Sequence, residues 1–273
     1  MPVSRVLLLL FTATGLWLGG GPAPARAEAD PRAVAVSERL TDAMGGRELY
    51  DAQRVLTFRF AVVVDGEERS NWLHVWDRDT GDYRLEGTTR EGDALLVLFN
   101  VDSGVGKVWL GGAPLDEDAA ASYLEMAYGR YINDSYWLLM PWKWLDPGVT
   151  LTYTGTDTVG GEAVDVVQLS FETGIGITSN DVYWAYVSRE TGLMVQWAFL
   201  LQDEEGNPGA GDRSYYRWEE WEPVDAGVKF ARNRIRREEG RTVEIRFPLV
   251  ECARQPRVGV FEPPPPPPTS DPR

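Results

Sequence analysis

Hydrophobic positions along the chain change their spacing at residue 55. From there Leu56, Phe58, Phe60, Val62 and Val64 fall on one face of an extended segment, with Thr57 and Arg59 on the other. That alternation predicts a strand with one dry and one partly wet face. Asp65-Gly66 is a hairpin signal. Residues 71–77 return, with Trp72, His74 and Trp76 on a shared face, and Asp79-Thr80-Gly81-Asp82 turns again. Residues 83–87 and 94–101 extend the meander, and 107–110 form a short strand. The run Ala94-Leu95-Leu96-Val97-Leu98-Phe99 is apolar on both faces. It therefore needs cover on both sides, from the N-terminal helix or from a central insert.

Ahead of the strands the spacing is helical. Asp30 followed by Pro31 supplies an N-cap and a first helical position, and Ala33, Val36, Leu40 and Ala43 make one apolar stripe. Gly45-Gly46 stops that helix, and a short turn over residues 47–52 leads into the first strand.

Alternation breaks after residue 110. Residues 114–128 have helical character, with Asp116, Glu117 and Asp118 at the favourable end of the helix dipole and Leu124, Ala127 and Tyr128 as an apolar stripe. Asn133-Asp134-Ser135 has the chemistry to cap a second helix over 136–140, ended by Pro141, and Asp146-Pro147-Gly148 closes the insert. Residues 131–147, YINDSYWLLMPWKWLDP, are the most aromatic stretch of the chain. Alternation then resumes over 149–154, 163–171, 182–187, 193–201, 215–221, 228–236 and 242–250. Regular spacing with short turns predicts an antiparallel meander of about ten or eleven strands in all. The fold class is mainly β with some α: a strongly curved sheet or incomplete barrel, an N-terminal helix, and a helical lid over residues 114–147. No internal repeat is visible.

The two ends read differently from the middle. Arg5, the apolar run 6–18 and Ala25-Arg26-Ala27 have the three parts of a secretory signal peptide over 1–27. The run is shorter than the about 20 residues a membrane span needs, and no cysteine lies near the cleavage site for lipid attachment. An exported domain over 28–261 and a proline-rich tail over 262–273 complete the division. The tail's six consecutive prolines lack backbone donors, so the segment is expected to be extended rather than part of a sheet.

Composition narrows the function. The net charge of −15 becomes −17 without residues 1–27, which remove Arg5 and Arg26 and no acid. A surface this acidic repels phosphate backbones, which argues against nucleic acid, and it also argues against electrostatic docking on anionic headgroups. One cysteine, Cys252, allows no intrachain disulfide, so the domain must rely on its hydrophobic core. His74 is the sole histidine. It reads as a hydrogen-bonded sheet residue, because zinc and nucleophile sites draw on several His or Cys groups. No metal ligands, cofactor or catalytic residues are assigned. Carboxylates are numerous, so an all-oxygen calcium site and a glycosidase-type acid pair both stay open, although no stretch has EF-hand spacing. Asp77 and Asp79 flank Arg78, which predicts local pairing around a turn. Arg232, Arg234 and Arg236 share a spacing that predicts pairing with Glu244 and other cross-strand acids, or contact with a lipid phosphate. Gly174-Ile175-Gly176 reads as a loop.

Three strings carry a family resemblance: Trp76-Asp77-Arg78 with Thr80-Gly81-Asp82-Tyr83-Arg84; Ile132-Asn133-Asp134 through Tyr136-Trp137-Leu138-Leu139-Met140-Pro141; and Tyr183-Trp184 through Glu190-Thr191-Gly192-Leu193. With the element order, they make the chain resemble the LolA/LolB lipoprotein-carrier superfamily over residues 48–249, nearest an uncharacterised bacterial family within it. The resemblance implies a periplasmic half-barrel with a helical lid over an apolar cavity and carriage of a lipid or acyl chain. It supplies no functional residues, and the polyproline tail departs from it.

From the residues themselves, Tyr136, Trp137, Met140, Trp142, Trp144, Trp72, Trp76, Trp184 and Trp197 are the candidate ligand-binding set. Large apolar rings with polar tips suit an acyl chain and equally suit core packing or sugar stacking. The leading expectation is a non-enzymatic periplasmic or secreted protein that binds or carries an apolar small molecule, lipid or lipoprotein. It would meet a membrane or envelope protein transiently, and Gly129 and Gly148 would be lid hinges. A solid interaction module and a carboxylate-based hydrolase of envelope sugars are the alternatives. Oligomeric state is not legible.

Overall fold

The computed structural model describes residues 30–172, 180–203, 206, 207, 209 and 211–264. The leader, the Gly174-Ile175-Gly176 loop and most of the polyproline run lie outside the described residues. Helices α1 (Pro31–Ala43) and α2 (Arg47–Asp51) precede strands β1 (Val55–Val64), β2 (Glu67–Asp77), β3 (Asp82–Thr88), β4 (Ala94–Asn100), β5 (Gly106–Leu110) and β6 (Ala113–Pro114). Helix α3 (Glu117–Leu139) continues into a 3-10 turn, Met140–Lys143. Strands β7 (Val149–Val159), β8 (Glu162–Phe171), β9 (Val182–Ser188), β10 (Met194–Leu200), β11 (Ser214–Pro223), β12 (Lys229–Glu238), β13 (Arg241–Arg246) and β14 (Val250–Ala253) follow.

The strands form one antiparallel, unclosed sheet in the order β6-β5-β4-β3-β2-β1-β13-β12-β11-β10-β9-β8-β7. The chain starts at the centre, meanders to one edge at β6, and uses α3 to reach the other edge at β7. It then meanders back until β13 pairs with β1, Val62 opposite Ile245. The fourteen strands exceed the expected ten or eleven. One reason is the segment 242–250, which breaks around Pro248 and restarts as β14, paired with residues 55–58 of β1. Proline cannot donate to the ladder at the break.

Asp30 caps α1 as its sequence implies, accepting from Arg32 N at 2.9 Å, and its second oxygen accepts from Tyr153 N at 3.0 Å, tying the helix to β7. Gly45 (φ +113°) ends the helix where a Cβ would lie 2.7 Å from Gly227 O. Arg39 reaches the buried Asp165 carboxylate on β8 at 2.6 Å. The alternating apolar positions produce two cores on the inner face. The larger joins α1, β1, the end of α3 and β7–β13; the smaller packs the first half of α3 on β2–β5. Gly87 on β3 leaves room for the Trp72 ring, which a Cβ would meet at 2.3 Å.

The lid is one helix, not two. Asn133-Asp134-Ser135 lies inside α3 and is buried. Its carboxylate is used across the fold rather than as a cap. Asp134 accepts from Asn133 Nδ2 at 2.7 Å and Arg130 Nη1 at 3.2 Å, and lies 3.3 Å from His74 Nε2 on β2. Gly129, expected as a hinge, sits buried within the unbroken helix, whereas Gly148 (φ +82°) occupies the turn before β7.

Candidate functional site

The end of α3, the 3-10 turn and strands β7 and β8 form the walls of a partly open cavity of about 470 Å³ against α2 and the end of β2. Tyr136, Leu139, Met140, Trp142, Trp144 and Leu169 are buried wall residues, joined by the half-buried Trp76, Tyr131, Val149 and Phe171. The local sequence explains the enclosure. Pro141 lacks the N–H to continue an α-helix, so the chain tightens into the 3-10 turn. Trp142 and Trp144 are buried there, while Lys143 and Leu145 are exposed. Trp142 stacks on Tyr50 of α2 with centroids 4.2 Å apart and planes 5° apart. Burial pushes the Tyr50 hydroxyl up to about 12, so it stays protonated.

Charged residues gather where the lining becomes exposed: Arg47, Arg78, Lys143 and Asp146. Arg47 Nε donates to Asp51 at 2.9 Å and its Nη1 donates to Trp142 O at 3.0 Å. Lys143 pairs with Asp146 at 2.5 Å. Arg78 does not pair with its neighbours as expected. Asp77 and Asp79 instead bind Arg54, at 2.8 and 3.4 Å. Arg78 Nη1 donates to Tyr50 O and Gln53 O at 3.1 and 2.8 Å, and its guanidinium lies 4.4 Å from the Tyr50 ring centroid.

The nine candidate residues separate into groups. Tyr136, Met140, Trp142, Trp144 and Trp76 converge on the cavity. Trp137 and Trp197 belong to the larger core without lining it: Trp137 meets Tyr216 edge-on at 5.1 Å, and Trp197 stacks on Tyr183 at 5.1 Å. Trp72 lies in the smaller core beneath Arg130, whose guanidinium is 4.2 Å from its ring. Trp184 is on the opposite face of the sheet with Val164, Val166 and Tyr186, covered by Arg213 at 3.6 Å. Arg47, Tyr50 and Lys143 were not singled out by the sequence, and Arg78 was expected only to pair with its neighbouring aspartates. The Arg47–Trp142 contact joins positions 95 residues apart, a separation that leaves no local signal.

His74 accepts its expected structural place. Its Nδ1 is 2.8 Å from Tyr83 Oη, its ring stacks on Phe58 at 4.5 Å, and burial depresses its pKa despite the Asp134 carboxylate. The Asp134–His74 contact ties the C-terminal part of α3 to β2. Glu244, expected beside the β12 arginines, is bound by Asn233 at 3.1 Å and Arg246 at 2.8 Å. Arg232 pairs with Glu222, Arg236 with Glu238, and the fully buried Arg234 has no acidic partner among the described residues. Among the described residues no group of three His, Cys, Asp or Glu is placed to hold a metal, and no helix is long and apolar enough to cross a membrane. Asp146 is the one carboxylate in the described cavity lining, so that lining lacks the paired acids of a glycosidase.

No family model and no curated protein matches the chain. Solved structures similar to it include a LolA superfamily protein from Nitrosomonas europaea, at 10% identity over 82% of this chain and 94% of that one with a TM-score of 0.47. Another is a DUF1329 family protein from Desulfovibrio piger, at 13% identity over 84% and 97% of the two chains with a TM-score of 0.43.

Proposed function

We propose that this chain is an exported, non-catalytic binding protein whose domain over residues 28–261 holds an apolar ligand, a lipid or a lipoprotein acyl chain. The observation that carries this reading is the cavity of about 470 Å³ beside the largest hydrophobic core. Ligand pockets occupy about 300–1,000 Å³ and are lined mainly by apolar and aromatic side chains, as this one is.

Apolar burial would drive uptake, at about 25 cal/mol per Å² before the costs of association. The moving part is the segment after Leu139. Upstream, Asp134 anchors α3 to the sheet through His74. Downstream, the 3-10 turn over Met140–Lys143 has the weaker hydrogen-bond geometry of its class, and Gly148 follows it at the turn into β7. Displacing Trp142 from Tyr50 would open the wall without dismantling the sheet. A membrane or an envelope protein would then supply or receive the ligand.

The test is mass spectrometry of organic extracts of the protein purified from its own envelope without detergent. A stoichiometric lipid or fatty acid is expected. An empty protein that also fails to bind a fluorescent acyl probe would overturn the reading in favour of an interaction module.

A further inference from the structure

The cavity lining carries a charge bias that a purely apolar ligand does not use. The chain has a net charge of −15, yet the lining presents Arg47, Arg78 and Lys143 against one carboxylate, Asp146. Asp146 is held by Lys143, and Arg47 is partly neutralised by Asp51. Arg78 has no carboxylate partner among the described residues, because Arg54 holds both neighbouring aspartates. The lining therefore offers the free donors of an unpaired guanidinium beside walls that are mostly apolar and aromatic.

We infer that the ligand is a single-chain amphiphile with an anionic head, a carboxylate or a phosphate, whose head meets Arg78 and Arg47 and whose tail lies along Leu139, Met140, Leu169 and Phe171. This rests on the binding function proposed above and specifies its ligand class. Arginine suits the role because its planar donors match carboxylate and phosphate oxygens. The carbonyls of Tyr50 and Gln53 fix one edge of the Arg78 guanidinium, so little side-chain freedom is lost when the head arrives.

The experiment titrates the protein, stripped of lipid, with hexadecanoate, hexadecyl phosphate and hexadecan-1-ol, read by the change in total tryptophan emission, to which the lining residues Trp76, Trp142 and Trp144 contribute. Both anions are expected to bind at least about tenfold tighter than the alcohol, the scale of one charge-assisted hydrogen bond. Added salt should shrink that preference, because the head lies at the exposed end. Arg78→Gln should lower the affinity for the anions at least about tenfold. Arg47→Gln is the companion variant if Arg78→Gln does not fold, and should narrow the same preference. Equal affinities for alcohol and anions, or a preference indifferent to salt and to both substitutions, would overturn the head assignment while leaving an apolar cavity standing. Binding of none of the three would take down the carrier reading as well.

Discussion

Two tryptophans five residues apart provide the sharpest test of where the site lies. Trp137 and Trp142 are both 3% exposed, so burial alone does not separate them. Their surroundings do. Trp137 is packed between Tyr216 at 5.1 Å and Phe199 at 6.3 Å inside the larger core. Trp142 has Tyr50 on one face and forms cavity wall. Truncating a buried Trp to Ala costs about 3–5 kcal/mol. Trp137→Ala belongs at the upper end, because every contact it forfeits is with protein. Trp142→Ala belongs near 3 kcal/mol, about the lower limit, because atoms that face a void have already lost those contacts. A domain more stable than about 5 kcal/mol, as most of the ordinary range of about 5–15 kcal/mol is, retains a folded majority after either loss. Urea unfolding followed by circular dichroism gives the two stability changes, and displacement of a fluorescent acyl probe gives affinity per folded molecule. Trp142→Ala should weaken the probe strongly, and Trp137→Ala should leave it within about twofold of wild type, since only the former removes wall. Equal losses of affinity, or a larger loss for Trp137→Ala, would refute the placement of the site.

Two further predictions concern charges that the fold buries. The Arg54 guanidinium, bonded to both Asp77 oxygens, holds that carboxyl below its ordinary range. The stabilisation is therefore complete above the unfolded value of about 3.9 and disappears as pH falls through the lower folded value. Thermal melts should show Asp77→Asn less stable than wild type at pH 7, with the gap closing below about pH 4; a gap that stays constant down to acid unfolding would remove the ion pair as its cause. Arg234 is fully buried, donates to Ala231 O at 2.5 Å, and lies 4.0 and 4.3 Å from the Trp218 and Phe247 ring centroids. Burial pulls its pKa well below the ordinary arginine value. A desolvated cation–π contact is worth about 2 kcal/mol, whereas desolvating an ion costs several. Arg234→Met should therefore match or exceed wild type in urea, and a loss above about 2 kcal/mol would show that the aromatic contacts outweigh the burial cost.

The strands were legible because period-two alternation and turn residues are local signals. Leu56, Phe58 and Phe60 point inward as their spacing demands. Where both faces of a strand are apolar, alternation assigns partners but not sides. On β9, Tyr183 and Ala185 enter the larger core while Trp184 and Tyr186 cover the outer face, and nothing within the strand announces which is which. Helix continuity was hidden for a different reason. Asn133-Asp134-Ser135 has genuine capping chemistry, but His74 and Arg130 compete for Asp134 once the chain folds. A buried carboxylate with two cationic or polar neighbours outweighs a weak local preference for a cap.

The mouth of the cavity follows the same logic. Asp77-Arg78-Asp79 looks self-neutralising when written in a line. The strand ends at Asp77, however, and Arg78 and Asp79 lie in the turn that follows it. Asp77 and Asp79 can then share Arg54, which approaches from the start of β1, while Arg78 is set over Tyr50. A triplet with net negative charge thus delivers an unpaired cation to a place where the aromatic insert closes over a void. The positive mouth arises from the way this turn distributes its charges among different partners, not from any local excess of basic residues, so composition points away from an anionic ligand and geometry points toward one.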